Sequence, residues 1–158
     1  MKVYIVGTGA EGENSLTKEA KTAIDSAGLL IGAERMLKPY VGSGKEAFAG
    51  YRPEMIAEKL SSCEHSSAAV LMSGDCGFFS GAKKLLPLLA DHEVRIIPGI
   101  SSAAMFCSRL GISYEDMKFV TLHGRSSNIA VNVRLNERCF FLLGGEMTAA
   151  RVCRVLCS

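Results

Sequence analysis

Three times between Val3 and Leu110 the chain passes from a short strand-like run, through a turn of glycines and small polar residues, into a helical pattern. Val3 to Val6 leads into Gly7 to Gly12, and Leu16, Ala20, Ala23, Ile24 and Ala27 then recur at spacings that share one helix face. Val70 to Met72 leads into Ser73, Gly74, Asp75, Cys76 and Gly77, followed by a helical pattern from Phe79 to Leu86 that Pro87 interrupts. Val94 to Ile97 leads into Pro98, Gly99, Ile100, Ser101 and Ser102, and the helix predicted over Ala103 to Leu110 stops at Gly111. Short, continuously apolar runs belong in the buried middle of a parallel sheet, because both of their faces are covered. Their alternation with helices predicts an α/β fold, a parallel sheet with helices on both faces. In such a sheet the three turns lie at the carboxyl ends of strands, where ligands bind.

The intervening segments fill in the same pattern. Leu29 to Ile31 reads as a strand between Gly28 and Gly32, and Ala33 to Leu37 as a short helix stopped at Pro39. Residues 41 to 52 read as loops with room for one short strand. Pro53 suits the first turn of a helix that buries Met55, Ile56 and Leu60 and is closed by polar residues 61 to 67. After residue 113 the character changes. Lys118 to Leu122 is a strand, a polar segment follows, and Cys139 to Leu143 is another strand. A helix from Glu146 to Cys157 is expected to bury Met147, Ala150, Cys153 and Leu156 as an apolar row. The expected organisation is an N-terminal α/β domain over 1–113, with 114–158 the first part of a second α/β domain whose remainder is missing.

Composition narrows the class. With 158 residues, 48% of them apolar and 22% charged, there is material for a globular core. The formal net charge is +2 and the 18 basic residues form no stripe, which argues against nucleic-acid or membrane partners. The amino-terminal apolar run is too short for a membrane span and lacks a signal-peptide cleavage pattern, so a cytoplasmic location is expected. None of the six cysteines forms a C-x-x-C pair, and no metal site is expected.

The turns carry the chemistry. Gly7, Gly9 and Gly12 match G-x-G-x-x-G after a strand, with Glu34 at the distance of a ribose-binding acid, which is the pattern of a nicotinamide-dependent oxidoreductase. Against that, Glu11 would face a pyrophosphate inside the same loop. The plain alternative for each turn is a tight connection with no ligand. The second turn presents an acid, Asp75, rather than a phosphate-binding lysine, and the third presents two hydroxyls at a helix start. Together they suit a ligand with amino and ribose hydroxyl donors, an aromatic base and little negative charge, such as S-adenosylmethionine.

The ordered set of Gly7 to Gly9 with Leu16 and Thr17, Ser73 to Ser80, and Pro98 to Ser102 resembles the tetrapyrrole (corrin/porphyrin) methylase family over essentially the whole chain. Residues 31 to 37, His123 to Arg125 and Leu142 to Gly145 resemble the branch of cobalamin biosynthesis that methylates C5 of a corrin precursor. The resemblance implies a homodimer that binds S-adenosylmethionine in a cleft between two domains and releases S-adenosylhomocysteine. By position, Ser73, Gly74, Asp75, Phe78, Ser101 and Ser102 would meet the cofactor, Leu143 and Gly144 would cover it, and Gly9 and Ala10 would face both cofactor and tetrapyrrole. His123 would assist proton loss or bind a propionate, with Arg125 as a carboxylate partner. The family usually carries G-x-G-P-G where this chain has Gly7 to Glu11, so the first loop is expected to be less rigid. A non-catalytic ligand-binding domain is the remaining alternative.

Overall fold

The computed structural model describes residues 1–157, which divide into two compact units, Met1–Met105 and a second beginning at Phe106. The first unit is built on five strands: β1 (Lys2–Gly7), β2 (Leu29–Gly32), β3 (Glu46–Ala49), β4 (Ser67–Met72) and β5 (Glu93–Ile97). All pairs are parallel, in the order β3-β2-β4-β1-β5. Strands β4, β1 and β5 are therefore neighbours, and the three turns after them issue side by side from one end of the sheet.

The inner strands β2, β4 and β1 are largely apolar because each face of the sheet has its own core. Val3 and Ile5 of β1, Leu29 and Ile31 of β2 and Ala68 and Val70 of β4 pack on one side with Ile56 and Leu60 of α3 (Pro53–Ser61) and Leu85 of α4 (Ala82–Leu85). Val6, Leu30, Ala69 and Leu71, the residues between them, pack on the other side with Ala20, Ala23 and Ile24 of α1 (Lys18–Ser26) and Leu37 of α2 (Glu34–Leu37). That strict alternation follows from the two-residue period of a strand. Thr17 caps α1 by accepting from the Ala20 N–H at 3.1 Å, and Lys45 closes its other end by donating to the carbonyls of Asp25 and Ala27. Edge strand β3 is held by Glu46, which pairs with Lys59 of α3 at 2.6 Å and with His65 at 3.0 Å.

Several expectations change in detail. Met55 is exposed rather than buried, because Ile56 and Leu60 define the inner side of α3. The helix expected from Phe79 begins only at Ala82, where Ser80 Oγ accepts from the Ala82 N–H; residues 75 to 81 stay in the turn. Pro87 does not end it at once but sits in the first turn of a following 3-10 segment, Leu86–Leu89.

In the second unit, β6 (Lys118–Thr121) and β7 (Cys139–Leu142) pair in parallel. The polar segment between them holds an unexpected helix, α6 (Ile129–Leu135), started by Asn128, whose side chain accepts from the Val131 N–H. With α7 (Ala149–Cys157) it covers Val120 and Leu122, and the buried residue of α7 is Val152. The row Ala150, Cys153 and Leu156 is exposed, a correction to the expected face, and Met147 lies before the helix. Helix α5 (Ser102–Leu110) runs across the division between units, which therefore falls before residue 113. Its end at Gly111 is a left-handed cap (φ 65°), with Ile112 N–H donating to Cys107 O at 3.0 Å.

Ile5 is fully buried in the central strand. Ile5→Ala should lower unfolding free energy by about 2–5 kcal/mol in urea titrations, because the surrounding sheet and helices cannot collapse onto the cavity.

Candidate functional site

The turns after β1, β4 and β5 join through their backbones. Gly9 N–H donates to Gly74 O and Gly74 N–H to Gly9 O, both at 3.0 Å, a reciprocal antiparallel bridge between two turns far apart in sequence. Both residues have positive φ, 75° and 69°, a conformation that L side chains resist. Asp75 then ties in the third turn: Oδ1 accepts from Gly77 N–H at 2.8 Å and Oδ2 from Gly99 N–H at 3.1 Å. A Cβ on Gly99 would collide with the carbonyl oxygens of Gly74 and Gly7, and one on Gly7 would collide with the Gly99 backbone. The structure therefore brings Gly9, Ala10, Ser73, Gly74, Asp75, Phe78, Ser101 and Ser102 into one cluster of turns within the first unit.

Reasoning from sequence missed two parts of this arrangement. Gly7 and Gly99 act by having no side chain, and Asp75 uses an oxygen on each of two backbone N–H groups, so its first task is to fix the turns. Each of its oxygens keeps a second lone pair for a ligand. The signal for Gly99 was its place directly after a strand and a proline; its partner lay 24 residues upstream.

The first turn has a hydrogen-bonded centre of its own. Buried Ser15 stands in its middle: Oγ accepts from Glu11 N–H at 2.9 Å and lies 3.1 Å from Gly12 O as a donor. A 3-10 segment, Gly12–Ser15, follows the turn, and α1 starts only at Lys18. The N–H groups of Gly9 and Glu11 are thus engaged within the protein, and no α-helix opens on the glycines. A dinucleotide site needs both free amides and a helix start there, so the nicotinamide reading fails on geometry.

Ser101 caps α5, its Oγ accepting from Ala104 N–H at 3.1 Å. That leaves the Ser101 hydroxyl proton and the first-turn amides of α5 for a ligand. Phe78 is half-buried and meets Phe79 edge-on, ring centroids 4.8 Å apart. Phe79 holds φ 50°, a left-handed conformation unusual for an aromatic residue, and exposes its ring beside these turns. Cys76 points inward, its Sγ 3.6 Å from Ile5 O and 3.5 Å from Ile97 O, so that its one S–H has a carbonyl of β1 or of β5 to donate to. Burial, with a smaller contribution from Asp75, pushes that thiol up to about 11.

The other four expected residues, His123, Arg125, Leu143 and Gly144, belong to the second unit. The His123 ring covers the Gly144 backbone so closely that a Cβ there would overlap Nδ1. Gly144 bridges to Met147, Leu143 packs on the small core of this unit, and Arg125 is exposed in the loop after β6.

The sequence profile described as Tetrapyrrole (Corrin/Porphyrin) Methylases matches residues 2–158, and the chain belongs to that family. It is 34% identical over 122 residues to the cobalt-precorrin-7 C(5)-methyltransferase of Salmonella typhimurium, covering 77% of this chain and 61% of that protein. It is 32% identical over 150 residues to a probable cobalt-precorrin-7 C(5)-methyltransferase of Methanocaldococcus jannaschii, covering 89% of this chain and 70% of that one. The fold matches the crystal structure of a cobalamin-biosynthesis precorrin-6Y methylase from Archaeoglobus fulgidus with a TM-score of 0.73 at 24% identity, over 95% of this chain and 77% of that chain. The chain thus spans about three fifths of the Salmonella relative's length.

Two outcomes are expected from this geometry. Asp75→Asn puts an amide donor against one of two backbone donors and should lower stability by about 1–3 kcal/mol in chemical denaturation. Thiol labelling at pH 8 should modify exposed Cys153 and Cys157 in the folded protein but not Cys76, read by mass spectrometry. Because the folded thiol titrates above its unfolded value of 9.0, the stability it contributes is present below that pH and is lost as pH rises toward about 11.

Proposed function

We propose that the chain carries the cofactor-binding part of an S-adenosylmethionine-dependent C-methyltransferase acting at C5 of a corrin precursor, cobalt-precorrin-7 or precorrin-6Y. The observation that carries this reading is the convergence of three turns that contain two acids, Glu11 and Asp75, and no lysine or arginine between Gly7 and Gly12, Ser73 and Ser80, or Pro98 and Ser102. Such a donor set fits a cationic sulfonium nucleoside and disfavours a polyphosphate. The names of the Salmonella and Methanocaldococcus relatives support the substrate and the position of methylation.

When bound, the cofactor supplies an electrophilic methyl group on a positively charged sulfur. The chain's own work is holding and orienting. Asp75 accepts hydrogen bonds from ligand hydroxyl or amino groups through its remaining lone pairs, while Ser73, Ser101, Ser102 and the first amides of α5 receive the polar end. Phe78 offers an apolar wall for the base, and Gly9 and Ala10 let the substrate approach the backbone. Holding both reactants in one geometry lowers the barrier by several kcal/mol without a dedicated acid or base. Leu143 and Gly144 cover the cofactor, His123 accepts a proton or holds an acid side chain, and Arg125 pairs with a carboxylate. The unit that starts at Phe106 belongs to the second domain, and the protein works as a homodimer in the cytoplasm. In the described residues no helix is long and apolar enough to cross a membrane.

Calorimetric titration of the chain with S-adenosylhomocysteine and, separately, NADH tests the reading. Saturable binding of S-adenosylhomocysteine with none of NADH is expected. No binding of S-adenosylhomocysteine, or tighter binding of NADH, overturns it.

A further inference from the structure

The turn after β1 has a second side, facing α2, whose Thr8, Glu13, Arg35 and Tyr40 take no part in the cofactor contacts above. With α2 and the 3-10 turn after it, Lys38–Tyr40, it walls a cavity of about 100 Å3 whose rim carries Thr8, Gly9, Glu13, Arg35, Tyr40 and Ser73. That is well under the ~300 Å3 of pockets that enclose a drug-sized ligand. It admits a short side arm and not a ring system.

The rim is fixed in place. Leu37 is buried in the core on this face of the sheet, Met36 and Tyr40 pack against the same core, and Pro39 stiffens the turn between them. Successive helical residues point ~100° apart, so an anchored Leu37 turns Arg35 to the opposite side. Arg35 is exposed and forms no ion pair among the described residues, whereas Lys59 and Arg95 of the same unit pair with Glu46 and Glu19. Glu13 stands on the same rim without pairing to it.

We propose that this cavity is a subsite for one carboxylate arm of the tetrapyrrole substrate, with Arg35 as its forked donor and Tyr40 as a second donor. The inference rests on the functional reading above, which supplies a macrocycle bearing short acid arms. A guanidinium matches a carboxylate with two parallel hydrogen bonds, a geometry lysine does not offer. Burial first, then Glu13 and Asp25, raise the Tyr40 pKa, so its phenol keeps its proton and remains a donor. Glu13 sets the sign of the selection: its carboxylate opposes a doubly charged phosphate more than a singly charged acid. Thr8 is not a competing donor, because its hydroxyl already donates to Met72 O at 3.1 Å.

The test uses the full chain, Arg35→Gln and Arg35→Lys, and two corrins titrated by absorbance: dicyanocobyrinic acid, which carries free carboxylates, and dicyanocobinamide, whose arms are amides. Arg35→Gln is expected to weaken the polyacid about tenfold, with Arg35→Lys between it and the unaltered chain. Dicyanocobinamide should bind weakly and equally to all three, and S-adenosylhomocysteine affinity and melting temperature should not move. Equal polyacid affinity across the three proteins, or equal loss for polyacid and amide, overturns the subsite, as does failure of the unaltered chain to bind the polyacid. Failure of the unaltered chain to bind S-adenosylhomocysteine instead sinks the functional reading, and the subsite with it.

Discussion

Backbone meets backbone where β4, β1 and β5 end, and the rest of the site depends on it. The exchange of two backbone hydrogen bonds between Gly9 and Gly74, and the capture of Gly99 N–H by the Asp75 carboxylate, hold three turns in contact, with the Gly7 and Gly99 backbones too close for a Cβ on either. Such an approach needs residues without a Cβ and a sheet order that sets these strands side by side. Apolar packing on both faces of the sheet provides that order, since each strand is placed by two cores rather than one. The chemistry then falls to what the turns leave over: hydroxyls, a few amides, and the spare lone pairs of one carboxylate.

The central strands could be read from the chain because burial on both faces leaves a continuous apolar run, which few other settings produce. The turns could be read because glycine is required where φ is positive, as at Gly9 and Gly74. Helix α6 could not. Its sequence is mixed, its buried residue is Ile129 at the first position, and its start depends on a single Asn128 hydrogen bond. The inner side of α7 differs from the apolar row because the core of this unit takes Val152 from the helix and Met147 from before it, which leaves Ala150, Cys153 and Leu156 exposed. The late start of α4 reflects a demand from elsewhere in the fold: the turn that reaches Gly9 and Gly99 occupies residues that would otherwise have coiled.

Within the site, residue types were legible and their division of labour was not. Asp75 reads as a ligand for a small molecule, yet its nearest partners are two peptide N–H groups, one of them on the next turn of the site. Ser15 carries no motif, yet its hydroxyl stands at the centre of the first turn and ties Glu11 N–H to Gly12 O. Arg35 belongs to a helix of four residues whose direction is set by Leu37, and only the packing of that leucine reveals which way the guanidinium faces.

Because main-chain atoms and the single Asp75 carboxylate join the turns, the other side chains around them answer to separate demands. Thr8, Ala10, Cys76 and Phe79 can each be exchanged without breaking the Gly9 to Gly74 bridge, since none of them supplies its donors or acceptors. A scaffold of that kind lets the walls of a reaction chamber drift under selection while its frame stays put.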